Sequence, residues 1–124
     1  MARFQAAIPI LRIYDEQKAL EFYRDFLGFQ VDWRVGGGEV PVYMQISLGD
    51  CRIQLSEHFG DGTPGSKIKV RTQDVRAFQQ ELLAKHYRHA RPGVLEQDWD
   101  EREMPIDDPF QNVITFFEPT PPKQ

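Results

Sequence analysis

The hydrophobic positions near the start of the chain change from a strand pattern to a helix pattern. An apolar run favours a β-strand over residues 5–13. Asp15 follows this run, and its carboxylate can cap the free N–H groups at the start of a helix over residues 15–27. Gly28 suits the left-handed end of that helix, and Phe29 opens the next apolar run. One face of the predicted helix is apolar and carries Ala19, Phe22, Tyr23, Phe26 and Leu27.

A weaker copy of this unit occurs later in the chain. It predicts a strand over residues 67–72 and a helix over 74–85, with Asp74 as the cap. The copy departs from the first unit at its end, where His86 stands in place of a glycine. Two similar strand–helix units in a short chain indicate an internal duplication. The apolar face of the second helix carries Val75, Phe78, Leu82 and Leu83.

Three further strands are predicted after each helix, and the polar loop 57–66 separates the two halves of the chain. The order β-α-β-β-β, found twice, predicts an α+β fold of two modules, residues 1–60 and 61–118. A frayed tail over residues 119–124 is predicted to follow them. The further strands are 29–35, 42–48 and 51–56 in the first module and 91–99, 101–106 and 112–117 in the second.

The composition is that of an ordinary globular domain. The chain has 124 residues, of which 40% are hydrophobic and 27% charged, with a formal net charge of −4. No cluster of Lys and Arg indicates nucleic-acid binding, and no apolar stretch is long enough to span a membrane. Cys51 is the only cysteine, so an internal disulfide is impossible, and a small buried hydrophobe is its favoured role. With no signal-like segment at the N-terminus, we expect a cytoplasmic protein.

Two motifs resemble the vicinal oxygen chelate superfamily, which includes glyoxalase I, extradiol dioxygenases and bleomycin-resistance proteins. The first motif reads Asp15-x-x-x-Ala19-x-x-Phe22-Tyr23-x-x-x-Leu27-Gly28-Phe29. The second motif reads Asp108-Pro109-Phe110-x-Asn112-x-Ile114-x-Phe116. The resemblance extends over residues 8–118. It implies that the two βαβββ modules form curled mixed sheets around a groove.

The resemblance also identifies four strand positions that hold metal ligands in the metalloenzymes of this superfamily. Counted from the helix caps and the motifs, they fall at Pro9, Gln54, Ile68 and Thr115. Proline and isoleucine offer no ligand atom, and glutamine and threonine are poor ligands for a transition metal. The resemblance therefore implies no metal and no cofactor. The histidines His58, His86 and His89 are interpreted as solvated loop or helix-end residues.

A proline at position 9 without the metal ligands resembles the bleomycin-resistance branch of the superfamily. Proteins of that branch sequester a glycopeptide antibiotic without chemistry, and their dimers exchange the first strand, here through Ile8. The resemblance therefore implies an arm-exchanged homodimer that binds a cationic glycopeptide antibiotic. The net charge of −4 agrees, because it disfavours an anionic ligand at long range, although salt weakens this effect.

A groove for a flat, polar ligand needs aromatic side chains and a few polar groups. Trp33 and Tyr43 lie on neighbouring predicted strands, and core positions are the alternative for both. Phe59 and Trp99 lie in polar segments without a core pattern, and a dimer contact is the alternative for both. The polar candidates are Glu57, His58, Asp61 and Arg102, for which an exposed loop charge is the alternative.

No pattern in the chain predicts a catalytic residue. Ser56 and His58 are too close in sequence to act as a nucleophile and base without a third orienting group. We therefore favour a metal-free binding protein that sequesters a bleomycin-like antibiotic over an enzyme. The alternatives are a metal-dependent lyase or dioxygenase of the same fold, and a regulatory or structural dimer that binds a metabolite.

Overall fold

A computed structural model describes residues 1–122, which form two βαβββ modules. We use the terms first module for residues 1–60 and second module for residues 61–118. The first contains β1 (Ile10–Arg12), α1 (Glu16–Leu20), β2 (Gln30–Gly37), β3 (Val40–Leu48) and β4 (Cys51–Ser56). The second contains β5 (Lys67–Arg71), α2 (Val75–Ala84), β6 (Leu95–Glu96), β7 (Glu101–Asp107) and β8 (Val113–Pro119).

The helix of the first module begins where the sequence predicts. Oδ1 of Asp15 accepts a hydrogen bond from the N–H of Lys18 at 3.0 Å, as an N-cap does. After α1 the helix widens into a π-helical segment, Glu21–Phe26, which the apolar spacing does not predict. Gly28 ends it with a φ of +94°, in the left-handed region that a glycine adopts without strain.

The two modules share one topology. The strand order is β1-β4-β3-β2 in the first sheet and β5-β8-β7-β6 in the second. In each sheet the first strand runs parallel to the fourth, and the other pairs are antiparallel. The repeated order confirms the predicted α+β fold of two mixed sheets and supports an internal duplication.

The first strand is shorter than predicted, and the segment before it is exposed. β1 contains only Ile10–Arg12, whereas the apolar run predicts a strand over residues 5–13. Side chains 1–8 are all exposed, and Phe4 retains 96% of its accessible surface. The carbonyl oxygen of Pro9 accepts the backbone N–H of Gln54 in β4 at 3.0 Å. Among the described residues no strand pairs with residues 1–8, which we call the N-terminal arm. The apolar side chains of the arm therefore remain in water in a single chain.

The outer edge of the second sheet is also shorter than predicted. The strand predicted over residues 91–99 is reduced to the two residues Leu95–Glu96. Pro92 has no N–H to donate and Gly93 has no side chain to pack, so the start of this stretch is a poor strand former.

The last strand extends further than predicted. β8 continues to Pro119, which is paired with Glu101, and the N–H of Thr120 donates to the carbonyl oxygen of Asp100 at 2.9 Å. The first two residues of the predicted frayed tail are therefore held by the second sheet. Residues 123–124, which belong to the same predicted tail, lie outside the described residues.

One continuous core contains the buried face of each helix and one face of each sheet. Its largest side chains come from the first helix and the turn after it, which explains why this unit gives the clearest pattern in the sequence. Full burial of one such side chain stabilises a fold by about 1.5–3 kcal/mol. No helix among residues 1–122 is long and apolar enough to cross a membrane. The core members that are less than 2% exposed include Phe22, Tyr23, Leu27, Phe29, Met44, Ile53, Leu55 and Phe116.

A buried carboxylate joins the two modules. Oδ2 of Asp108, between β7 and β8, accepts a hydrogen bond from the hydroxyl of Tyr23 at 2.6 Å. Its Oδ1 accepts from the backbone N–H groups of Phe110 and Asn112, both at 2.8 Å. The side-chain amide of Asn112 donates to Asp108 and to the carbonyl oxygen of Arg12 in β1, both at 2.9 Å. These donors replace water around a carboxylate that is only 6% exposed.

The ends of the two helices meet beside this joint. Nζ of Lys85, just after α2, donates to the carbonyl oxygens of Asp25 at 3.2 Å and Phe26 at 2.5 Å. The ring of Tyr87 stacks on that of Phe26, with centroids 4.6 Å apart and planes at 26°. The modules are therefore fastened along the side that carries Asp108 and the helix ends.

We expect Tyr23→Phe to lower the free energy of unfolding by about 1–3 kcal/mol at neutral pH, because Asp108 loses one of its buried donors. Burial and the Asp108 charge raise the pKa of Tyr23 well above its usual value of 10.0. The folded wild type therefore keeps a proton that the unfolded chain releases, and its stability should fall as the pH rises above about 10. Urea denaturation at neutral and alkaline pH measures both effects.

Tyr14→Phe is the matched control, because this hydroxyl is on a ring that is 55% exposed. It should leave the neutral stability and its alkaline decline unchanged. Equal losses in the two variants would show that the Tyr23 hydroxyl does not hold the joint.

Candidate functional site

The face of the first sheet that points away from the core carries polar and aromatic side chains. Successive residues of a strand point to opposite faces, so the residues between the core positions of β3 and β4 share this surface. Trp33 of β2 lies beside them, and we call the surface the aromatic face. Its members on β3 are Tyr43, Gln45 and Ser47, and those on β4 are Arg52 and Gln54.

Two rings stack on the aromatic face. The rings of Trp33 and Tyr43 have centroids 5.8 Å apart and planes at 7°. The imidazole of His58 meets the Tyr43 ring edge-on, with centroids 5.9 Å apart. Trp33 is 41% exposed, so the indole is a surface ring. The alternative considered from the sequence, a core position, does not hold for Trp33. A flat ligand can therefore reach an indole whose position is fixed by its neighbour.

A chain of hydrogen bonds fixes the polar side chains of the aromatic face. The Tyr43 hydroxyl donates to Oε1 of Gln54 at 2.5 Å, and Nε2 of Gln54 donates to Oε1 of Gln45 at 3.0 Å. Nε2 of Gln45 donates to Oδ2 of Asp32 at 3.1 Å, and the Ser47 hydroxyl donates to Oδ1 at 2.8 Å. Each group restrains the next, so a ligand meets side chains that are already ordered.

The aromatic face carries a fixed negative charge at one end of this chain. Hydrogen bonds from Ser47 and then Gln45 lower the pKa of Asp32, which is therefore ionised at neutral pH. Desolvation, and then the charge of Asp61, raise the pKa of Tyr43, so its hydroxyl remains a donor. Arg52 lies on the same face, and its charge also lowers the pKa of Asp32. The two carboxylates outnumber this one guanidinium group and so favour a cationic group beside the stacked rings.

The loop between the modules folds back onto the aromatic face. The Ser56 hydroxyl donates to Oδ2 of Asp61 at 2.9 Å and accepts the backbone N–H of His58 at 3.0 Å. Oε1 of Glu57 accepts a backbone N–H of β3 at 2.8 Å. A Cβ at Gly62 would lie 3.0 Å from a carbonyl oxygen of β1, so this position of the loop suits only glycine. Glu57 and Asp61 thus order the loop that carries His58.

Three predicted site residues lie apart from this cluster. Phe59 is 97% exposed in the loop, and Trp99 is 59% exposed between β6 and β7 of the second sheet. Arg102 of β7 forms ion pairs with Glu96 at 2.7 Å and Glu118 at 3.0 Å, which raise its pKa. In a single chain the other five candidates therefore lie together on the first sheet and the loop after it, and these three lie outside that group.

Sequence reasoning missed Asp32, Gln45 and Ser47, which hold the aromatic face in place. A signal was present for two of them, because every second residue between Val42 and Leu48 is polar or aromatic. No such signal marks Asp32, because a register shift in β2 between Val31 and Trp33 interrupts the alternation there.

Strand register corrects two of the four positions considered for metal ligands. The partner of Gln54 across the β1–β4 pair is Ile10, and the partner of Thr115 across the β5–β8 pair is Lys69. Paired neighbours point to the same face of a sheet. Ile10 therefore takes the place of Pro9, and Lys69 takes the place of Ile68, in the set counted from the helix caps. Isoleucine has no donor atom, and Nζ of Lys69 donates to Glu101 at 2.9 Å. The corrected set does not fit a divalent metal.

Comparison with known proteins identifies the family. A sequence profile described as "Glyoxalase superfamily protein" matches residues 1–121. The chain belongs to the glyoxalase superfamily. It is 29% identical over 132 aligned residues to the bleomycin resistance protein of Geobacillus stearothermophilus, an alignment that covers 90% of this chain and 95% of that protein.

Solved structures share the fold of this superfamily member. A bleomycin-binding protein complexed with bleomycin has a TM-score of 0.75 at 20% identity, covering 93% of this chain and 98% of that one. The bleomycin-binding protein of the bleomycin producer Streptomyces verticillus, complexed with copper(II)-bleomycin, has a TM-score of 0.70 at 25% identity, covering 94% and 97%. The resemblance stated from the sequence motifs is confirmed.

We expect this glyoxalase-superfamily protein to retain no stoichiometric divalent metal after dialysis, because Ile10 and Lys69 occupy two of the four ligand positions. Within residues 1–122, no cluster of three or more His, Cys, Asp or Glu side chains is arranged to hold an ion. Elemental analysis of the dialysed protein, beside a known zinc protein treated identically, makes the measurement. One equivalent of zinc, manganese, iron or nickel per chain would contradict it.

Proposed function

We propose that this protein binds a cationic, partly planar small molecule of the bleomycin type in the cytoplasm and sequesters it without chemistry. The observation that carries the proposal is the exposed Trp33 indole, stacked on Tyr43 beside the ionised Asp32. The similarity to a bleomycin resistance protein at 29% identity supports the ligand class.

The aromatic face suits such a ligand for two physical reasons. Stacking of a planar group on an aromatic ring contributes about 0.5–1.5 kcal/mol, and a cation over an indole contributes about 0.5–2 kcal/mol. The hydrogen-bonded glutamines and Asp32 are already ordered, so little conformational entropy is lost when polar groups of the ligand pair with them.

The same geometry argues against nucleophilic catalysis at this face. The proton of the Ser56 hydroxyl is directed to Asp61, and its oxygen accepts the backbone N–H of His58, not the imidazole. The imidazole instead faces the Tyr43 ring. Ser56 is fully buried, so it orders a loop and offers no accessible nucleophile, and the imidazole of His58 is not placed to act as its base.

A homodimer is part of the proposal, because the aromatic face is an open surface in one chain. In the N-terminal arm, Phe4 is 96% exposed and Ile8 is 41% exposed. A partner chain would cover both side chains. Exchange of the arm between protomers would also bring a second wall towards the aromatic face. Phe59 and Trp99, both exposed, are the residues we propose for that wall or for the contact between protomers.

We expect bleomycin to change the tryptophan emission of the wild type, because a planar group stacked on an indole alters its surroundings. Trp33→Phe should lose most of this signal and weaken binding by at most about tenfold, because phenylalanine keeps a smaller ring and the whole stacking contribution is about 0.5–1.5 kcal/mol. Fluorescence titration measures the signal, and calorimetry measures the affinity of each variant.

Trp99→Phe is the matched control, because it removes the other tryptophan of the chain. Its retained signal would place the ligand on the aromatic face. If neither bleomycin nor other cationic heteroaromatics affect the wild type, and expression gives cells no protection from the drug, the proposed function is wrong.

We expect the protein to be a dimer of 14.5 kDa chains at micromolar concentration. Deletion of residues 1–8 should shift the population towards monomer, because it removes the apolar side chains that the proposed contact between protomers would bury. Light scattering measures the mass of both forms. A monomeric full-length chain would refute the dimer, and an unchanged dimer after deletion would refute the exchange of the arm.

A further inference from the structure

A cleft separates the two modules on the side away from the Asp108 joint, and we call it the inter-module cleft. It lies between the β3–β4 turn of the first module and strand β5 and helix α2 of the second, and its volume is about 610 Å³. This is within the usual range for small-molecule sites, about 300–1,000 Å³. Among residues 1–122, no part of the N-terminal arm lines it, so an exchange of the arm would leave its walls in place. Its apolar walls and floor are formed by Phe29, Leu48, Cys51, Val70, Phe78 and Phe116.

The internal duplication places a smaller space at the corresponding position on the joint side. That space lies between the β7–β8 turn and the first helix, and its volume is about 330 Å³. The registers of the two sheets match when Gln54 is placed on Thr115, since each is the partner of the first strand of its module. This match places Leu48 on Asp108, because the two residues close the corresponding hairpins. The inter-module cleft is therefore the larger of two equivalent spaces.

The two helices differ at the position that faces each space. Counting from the helix caps places Leu82 on Tyr23 and Glu81 on Phe22. Tyr23 and Leu82 are both buried, which supports the match. Phe22 is 1% exposed, and its ring packs among three other aromatic rings at centroid distances of 4.8, 5.9 and 6.4 Å. Glu81 is exposed and lines the inter-module cleft, so a carboxylate stands here where the joint side has a packed ring.

The turn on the open side also lacks an aromatic ring. On the joint side, Phe110 is only 8% exposed, and its ring lies 6.2 Å from that of Tyr14. On the open side, Gly49 and Asp50 form the whole β3–β4 turn, which is one residue shorter than the β7–β8 turn. Two rings that close the joint side therefore have no counterpart at the inter-module cleft, which explains its larger volume.

The apolar walls of the inter-module cleft are incompletely covered in a single chain. Phe116 is 1% exposed, and the ring of Phe78 meets it edge-on with centroids 4.9 Å apart. Leu48, Val70 and Phe78 pack against the core but are only partly buried. Their remaining apolar surface can be covered by a ligand, and each Å² removed from water contributes about 25 cal/mol.

The rim of the inter-module cleft is acidic. Asp50 lies on the β3–β4 turn, and Asp74 and Glu81 lie on the face of α2 that lines the cleft. Among residues 1–122, neither Asp50 nor Glu81 forms an ion pair. Arg71 also lines the cleft, but its side chain points to the opposite face of β5 from Val70, because successive strand residues alternate. An ammonium group is therefore favoured at this rim over a carboxylate.

We propose that the inter-module cleft binds a small aromatic amine, with its ring against Leu48, Val70 and Phe78 and its ammonium group beside Asp50 and Glu81. The ring takes the place of the aromatic side chains that fill the joint side, and the ammonium group pairs with the carboxylate that replaces one of them. The site is separate from the aromatic face, which lies on the opposite side of the first sheet. The inference does not rest on the proposed antibiotic binding.

Cys51 provides the measurement, because it lines the inter-module cleft and is the only cysteine in the chain. The rate of its alkylation by neutral N-ethylmaleimide is followed by mass spectrometry, with and without tryptamine. We expect about tenfold protection at a tryptamine concentration ten times Kd, by mass action. Circular dichroism of each sample shows that the protein is folded.

Two analogues of tryptamine test the charge of the ligand. Tryptophol is neutral and indole-3-propionate is anionic, and both keep the indole ring on a short chain. Tryptamine should bind about two- to fivefold more tightly than tryptophol, the size of an ion pair at an exposed site. Indole-3-propionate should bind more weakly than either, because its carboxylate meets those of the rim.

Variants of Glu81 test the place of the ammonium group and of the ring. Glu81→Gln should raise the Kd for tryptamine about two- to fivefold and leave that for tryptophol unchanged. Glu39→Gln is the matched control, because it removes the same charge at the exposed β2–β3 turn outside the cleft. Glu81→Phe, which restores the ring of the joint side, should abolish protection by tryptamine. Ala77→Leu, on the α2 wall of the cleft, should weaken protection in the same way by filling the space.

Several results would overturn the proposal. One is the absence of protection by tryptamine in the folded wild type. Equal protection by tryptamine and indole-3-propionate, or equal effects of the Glu81→Gln and Glu39→Gln variants, would show that the rim does not bind an ammonium group.

A last pair of measurements separates this site from the aromatic face. Trp33→Phe should leave the protection of Cys51 by tryptamine unchanged, and Glu81→Phe should leave the tryptophan response to bleomycin unchanged. Loss of Cys51 protection in Trp33→Phe would place tryptamine on the aromatic face and refute the second site. Failure of either proposal is therefore visible without the other.

Discussion

The carboxylate of Asp108 is the contact on which the relative position of the two modules depends. It accepts hydrogen bonds from Tyr23 of the first module and from its own turn, and Asn112 extends the group to β1. A charge this buried is costly unless donors surround it, so the members of the group must be present together. The closing sequence motif thus has a physical meaning: the turn that marks the superfamily is also the part that fastens one module to the other. Lys85 and Tyr87 reinforce the same side, and the opposite side remains open.

Much of the fold could be predicted because its signals are local. The helix caps Asp15 and Asp74 and the apolar spacing after each of them locate both helices. The π-helical segment Glu21–Phe26 could not be predicted, since one extra residue per turn leaves the apolar stripe nearly unchanged. The length of β1 could not be predicted either. An apolar run shows that residues can form a strand, but pairing requires a neighbour, and the arm has none in the described chain.

The candidate site shows where counting along a sequence fails. The first-strand positions counted from the helix caps are wrong by one residue, and a slip of one residue in a strand exchanges its two faces. Trp33 and Tyr43 could be placed together because adjacent strands of a meander pair with each other. Asp32 could not, because a bulge redirects it, and Trp99 depends on a turn in the other sheet. Local pattern locates the central strands of each sheet, whereas the surface that a side chain occupies is set by register.

The duplication explains how one small chain can have a rigid joint on one side and an open cleft between its modules on the other. The end of the last hairpin in each module needs a partner surface. In the second module the turn that carries Asp108 and Phe110 packs against the first helix. Once that side holds the modules together, the corresponding side need not. Matching the registers of the two sheets places Leu48 and Cys51 at the positions of Asp108 and Asn112, and these two residues cannot form the hydrogen bonds of the joint. The two copies of the module therefore share a topology but differ at their hairpin ends, and this difference leaves one side of the chain closed and the other open.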